Sequence, residues 1–215
     1  MSKTALMLHD VVSLVHSIFT SVVSLRFTSR YLFSPVDTQI DNTDVSLLQY
    51  CFYSSVCYFF FSTIMLVFVE PKSSKTPPVL LHHFLAYAWV VSGLHFKRYL
   101  AFYGMMYVME ISTVVLCLRG ILRNLGVKKF SFFVDLTFFT TFVLCRYTTP
   151  LFGYFNMCAK LMKDQTDPVV WMAVLGLTTS ICLNSMWLYE MCHMIKRSFG
   201  RDMNHTSGKN NLKNE

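Results

Sequence analysis

Long apolar stretches separated by short polar breaks organise this chain. Positions 45–69 run for 25 residues without one charged side chain, and 169–189 run for 21 more. A helix needs about 20 apolar residues to cross the hydrocarbon of a bilayer, so each stretch is long enough to span. Weaker stretches at 4–25, 79–96, 99–118 and 130–145 bring the expected number of transmembrane helices to six. The breaks between them carry ordinary stop signals. Ser34, Pro35, Asp37, Asp41 and Asp44 separate the first two stretches, and Pro71 to Pro78 precedes the third. Pro77 and Pro78 suit the first turn of a helix, where a missing amide donor costs little. Residues 147–162 read two ways. Pro150 either ends the fifth span and leaves an interfacial helix, or kinks a longer one that carries Arg146 near mid-membrane. The tail 201–215 is polar and rich in Asn and Lys, which predicts disorder after a single membrane unit at 1–200.

Composition supports this pattern. With 53% hydrophobic and 14% charged residues the chain falls outside the soluble class. The first stretch lacks a cationic leader and a small-residue cleavage site, so it reads as a retained helix. Six spans put both termini on one side of the membrane. The loops on that side hold twelve Lys and Arg against seven on the other, which predicts cytosolic termini. The net charge of +7 follows from this bias and calls for no nucleic-acid partner. On a cytosolic tail the Asn204, His205, Thr206 sequon stays unused. The seven cysteines lie mostly in apolar stretches without a C-x-x-C pair, and read as small hydrophobic residues.

Ionisable side chains inside the spans carry the candidate chemistry, because they are expensive in hydrocarbon and usually face a cavity. His82 and His83 stand just inside the third span, Glu110 in the fourth and Asp135 in the fifth. At 1.5 Å per residue they lie roughly 5, 12 and 8 Å from the same boundary, with His16 deeper in the first span. This spacing predicts one polar chamber open to the cytosol. Adjacent helical residues point about 100° apart, so His82 and His83 have different surroundings. A carboxylate at Glu110 would orient an imidazole for acid–base or acyl-transfer work. The competing reading is that these groups only tie helices together through hydrogen bonds.

Four landmarks in order support a resemblance. They are Ser13, His16 and Ser17 in a Ser-x-x-His-Ser element; LLHHFLAY with His82 and His83; MEISTVVLCLRG with Glu110, Ser112, Thr113 and Arg119; and VLCRY with Arg146. Together they resemble the TLC-domain proteins, a group that includes ceramide synthases, translocon-associated membrane proteins and a Batten-disease membrane protein. The resemblance implies an all-α fold, a TLC-type barrel of six transmembrane helices in the endoplasmic reticulum, enclosing a lipid-sized cavity. In the ceramide synthase branch the paired histidines belong to the active site, and one carries an acyl group from acyl-CoA to a sphingoid amine. By position His82 and His83 match that pair, and Glu110 falls near an aspartate of the synthases. The synthases' longer His-Asp motif is absent, and Glu-Ile-Ser-Thr stands in its place. The implied role is therefore membrane lipid homeostasis. It is either acyl-CoA-dependent acyl transfer with His82, His83 and Glu110 catalytic, or non-enzymatic lipid binding or cargo sorting. His16, Asp135 and Arg146 are expected to line the cavity, with membrane lipids as partners, acyl-CoA as the co-substrate of the first reading, and no metal or other cofactor.

Overall fold

A computed structural model of the chain describes residues 3–35, 37–69, 76–127 and 131–211. Among them it shows helices joined by short turns, and no strand. Six rods follow in order: α1 (Lys3–Tyr31), α2 (Asn42–Val69), α3 (Thr76–Phe96), α4 (Leu100–Asn124), α5 (131–163) and α6 (Pro168–Asn211). All but α5 are long and apolar enough to cross a membrane. Large apolar side chains such as Val22, Phe60, Phe84 and Leu175 stand more than half exposed on the outside. In water such a surface would be a liability, whereas in lipid it is solvated.

The rods start and stop for identifiable reasons. Asp41 caps α2, its side chain accepting the backbone N–H of Asp44 at 2.8 Å. Asp167 caps α6 through the N–H of Val169 at 3.0 Å, with Pro168 in the first helical position. Helix α4 ends in a Schellman turn, with Gly126 at φ 75° and Val127 N–H reaching back to the Leu122 carbonyl at 3.0 Å. The α3–α4 turn is more demanding. Lys97 and Tyr99 both adopt left-handed φ values, 51° and 57°, which cost a non-glycine residue about 1–2 kcal/mol each. The Tyr99 hydroxyl donates to Asp167, and Arg98 pairs with the same carboxylate at 2.7 Å, so the turn is clamped to the start of α6. Burial alone would raise the Asp167 carboxyl. The hydrogen bonds from Tyr99 and Val169 and the Arg98 charge outweigh that and hold it below the usual carboxylate range. Burial, with the hydrogen bond to Asp167, pushes the Tyr99 hydroxyl up to about 12.

Helix α5 resolves the ambiguity around Pro150 in favour of one long, distorted rod. Ser131–Phe142 and Thr149–Lys163 are α-helical, and the π-helical stretch Val143–Thr148 joins them. This rod traverses the whole bundle. Asp135 pairs with Arg119 at the end that carries the termini, and Lys160 pairs with Asp37 at 2.7 Å at the opposite end. The hydrogen bond from Lys160 holds the Asp37 carboxyl below its ordinary range.

Neighbouring rods follow the order α1, α2, α3, α6, α5, α4, and α4 returns to α1 along the most extensive interface. There α1 turns a polar stripe inward, with Ser13, His16, Ser17, Thr20, Ser21 and Ser24 buried. Phe27 sits where a side chain on Gly104 would stand, its ring 2.3 Å from that Cβ position, so the two backbones approach closely. The seam between α3 and α6 is sparser.

Helix α6 is continuous from Pro168 to Asn211. Residues 212–215 lie outside the described residues, as do Lys72, Lys75, Lys128 and Lys129, which enter the charge asymmetry, and Phe130, the expected start of the fifth span.

Candidate functional site

A pocket of about 810 Å³ of atom-free space, its open mouth included, lies between α3, α4 and α6. Its lining follows single helix faces: His82, Leu85, Ala86, Trp89 and Val90 on α3, and Gly176, Leu177, Ser180, Leu183 and Asn184 on α6. Spacings of three, four, seven and eight residues bring each set to one side of its helix. Tyr103, Met106, Tyr107 and Glu110 of α4 form the back wall, and Arg146 of α5 enters at one end. The pocket is therefore apolar along most of its length, with polar groups at the end defined by His82, Glu110, Arg146 and Asn184.

The distortion in α5 places Arg146. Pro150 has no N–H for the carbonyl one turn earlier, which belongs to Arg146. That carbonyl instead accepts the side-chain amide of Asn184, buried on α6. The hydroxyls of Thr148 and Thr149 reach the carbonyls five residues back, those of Val143 and Leu144, at 3.1 and 3.5 Å. Hydroxyls and a neighbouring helix thus satisfy backbone groups that the broken ladder frees within the bundle. The Arg146 guanidinium donates to Ser112 Oγ at 2.9 Å and Thr113 Oγ1 at 2.6 Å, and pairs with Glu110 at 3.7 Å. Both charged side chains are only 12% exposed. The other carboxylate oxygen of Glu110 accepts the Ser17 hydroxyl of α1 at 3.2 Å. Glu110 follows directly on a 3-10 turn, Tyr107–Met109, in α4. The Met105 carbonyl just before that turn accepts the Ser24 hydroxyl at 3.0 Å.

The histidines divide. His82 lines the pocket, its ring edge-to-face with Trp187 at 5.3 Å, and among the described residues it makes no hydrogen bond. His83 turns to α2, where it packs against Phe59 and its Nδ1 lies 3.5 Å from Thr63 Oγ1. His16 is buried between α1 and α2, stacked on Tyr58 at 4.1 Å, with Nε2 3.1 Å from Ser55 Oγ. Ser55 gives its one proton to the Cys51 carbonyl and accepts the Tyr107 hydroxyl, so His16 Nε2 is the donor to it. That leaves His16 Nδ1 buried without a partner. Asp135 stands apart, bound to Arg119 and Arg123 at the end of the bundle that carries the termini.

The single chamber expected from depth thus separates into three places. His82, Glu110 and Arg146 share the pocket. His16 and His83 sit in the walls behind it. Asp135 belongs to a boundary ion cluster. Glu110 is engaged by Arg146 rather than by an imidazole, since a guanidinium is always charged and offers several donors to a carboxylate. Sequence reasoning missed Asn184. Its signal was present, because a lone Asn within the apolar stretch 169–189 needs a partner, and Pro150 leaves a carbonyl that needs a donor.

Among the described residues no three His, Cys, Asp or Glu side chains are placed to hold a metal ion. A comparison with curated proteins returns no match. The family model of the TLC domain matches residues 7–193, from the second turn of α1 to a point on α6 less than two turns beyond Trp187. That match takes in four rods whole, most of α1 and α6, the pocket and both histidine positions, and the chain belongs to the TLC-domain family.

Proposed function

We propose that this multi-pass membrane protein holds an apolar lipid chain in the pocket between α3, α4 and α6, and serves membrane lipid homeostasis from the endoplasmic reticulum with both termini in the cytosol. On this reading the ring of six rods is a barrel, and the pocket is its working cavity. One observation carries the proposal: an apolar bore that ends on a buried Glu110–Arg146 ion pair with His82 and Asn184 beside it. Such a site suits an amphiphile, whose chain replaces apolar contacts and whose head meets a few fixed polar groups. The test is lipid retention by the full chain purified in mild detergent and examined by native mass spectrometry. Wild type retains a lipid, and Ala86→Trp, which fills the bore, loses it. Equal retention by the two proteins overturns the proposal.

Acyl transfer is the second reading, favoured by the unpaired imidazole of His82 in the pocket wall. A His82 nitrogen would bond to the thioester carbon of an acyl-CoA. The carbon–sulfur bond breaks, and coenzyme A departs as the thiol with the proton shed by the imidazole. The acyl group then passes to an amine or hydroxyl of an acceptor lipid, whose proton returns to the ring. With radiolabelled long-chain acyl-CoA, this reading expects label on wild type and His83→Ala but not on His82→Ala. Label independent of His82, or no label with retained lipid, leaves the holding role alone.

A further inference from the structure

Gly176 is the one lining position of the pocket without a side chain, and it stands at the end farthest from the polar groups. Eight residues separate it from Asn184 on α6, about 12 Å along the helix. Across from it the Trp89 ring lies tilted against Tyr103 with ring centroids 4.4 Å apart, forming an aromatic floor. Glycine lowers helix propensity, so its presence inside α6 calls for a reason. Close packing supplies that reason elsewhere in the bundle. A Cβ on Gly93, Gly104 or Gly153 would lie 2.7, 2.3 or 2.9 Å from a neighbouring aromatic ring. A Cβ on Gly176 would meet only the Trp89 ring, at 3.9 Å, an ordinary contact. Packing does not require this glycine.

Gly176 adds no bulk to the lining beside the aromatic floor, and only the Trp89 ring comes within 4 Å of a Cβ there, in the sparser seam between α3 and α6. From this we infer that the missing side chain at Gly176 leaves the pocket without an upper limit on chain length, and the inference rests on the lipid-holding reading above. A chain whose head lies near Arg146 runs down the bore to Trp89 and Tyr103. A longer chain continues past them beside Gly176 toward the bilayer. The native pocket therefore accepts long and very long chains alike. A bulky residue at this position closes the bore and converts it into a site for short chains.

The experiment uses the full chain in lipid nanodiscs and a graded series of saturated fatty acids with a photoactivatable diazirine near the carboxyl end. Crosslinked peptides are mapped by mass spectrometry. Wild type and Gly176→Ala label α3 and α6 across the whole series. Gly176→Leu and Gly176→Phe keep medium-chain labelling but lose long-chain labelling by at least tenfold, about what one or two methylenes without room are worth in an apolar pocket. The graded substitutions guard against misfolding, because medium-chain labelling reports an intact pocket in each variant. Unchanged long-chain labelling in Gly176→Phe overturns the role of Gly176 while leaving the holding site intact. Absence of α3 and α6 labelling from wild type overturns the holding site itself.

Discussion

The Glu110–Arg146 pair offers the sharpest energetic test of the pocket's polar end. At 3.7 Å and an effective dielectric of about 20, Coulomb attraction between the two charges is about 4.5 kcal/mol. Removing one member of a buried pair costs a similar amount, about 3–5 kcal/mol, because the other charge is left without compensation. The two single substitutions are not equivalent. Glu110→Gln leaves a guanidinium that cannot discharge, held only by the Ser112 and Thr113 hydroxyls. Arg146→Met leaves a carboxyl that can take up a proton and become neutral. Glu110→Gln is therefore expected to cost about 3–5 kcal/mol. Arg146→Met costs less, and the double variant is more stable than Glu110→Gln alone. Denaturant titration in mixed micelles, monitored by helicity or tryptophan fluorescence, measures all four corners of the cycle. Losses that add to within about 0.5 kcal/mol would refute the pairing, since independent sites add that well.

Four further outcomes follow from the geometry. Asn184→Leu strands the Arg146 carbonyl and costs about 1–3 kcal/mol, and Pro150→Ala, which restores an amide one turn later, recovers part of it in the same unfolding assay. Tyr99→Phe removes a hydrogen bond to a buried carboxylate and lowers stability by about 1.5–3 kcal/mol. Because the folded Asp167 carboxyl lies below its unfolded value, its contribution is fully present above the ordinary carboxylate range. It is lost as pH falls through the folded value, and Asp167→Asn flattens that acid limb of a pH–stability profile. Gly104→Ala drives a methyl into Phe27 and costs about 1–3 kcal/mol, relieved by Phe27→Leu, whereas Gly176→Ala is tolerated.

Much of this architecture was legible from the chain. Spans 45–69 and 169–189 lie within α2 and α6, because an unbroken apolar run has few alternatives to a membrane helix. Asp41, read as part of a break, stands one position before α2 begins. Depth arithmetic brought Glu110 and His82 to one pocket, yet it grouped Asp135 with them. Rise per residue gives height but not azimuth, and Asp135 faces Arg119 outside the pocket. The same limit hid the division of His82 from His83, whose 100° separation was readable while the identity of each neighbour was not. Arg146 needed the π-helical stretch to be placed. That distortion arises from Pro150, two threonines and an asparagine 34 positions further along, which no local pattern connects. Topology remains testable through the same sequence, since a glycan on Asn204 would contradict cytosolic termini.

The most direct test of the central claim is a cryo-EM structure of the full chain in lipid nanodiscs, carried by a bound antibody fragment. The account predicts elongated density between α3 and α6, its head within hydrogen-bonding distance of Arg146 or His82 and its tail against Trp89 and Tyr103. A collapsed pocket closed by those side chains, with lipid density only on the outer faces of the rods, would contradict it.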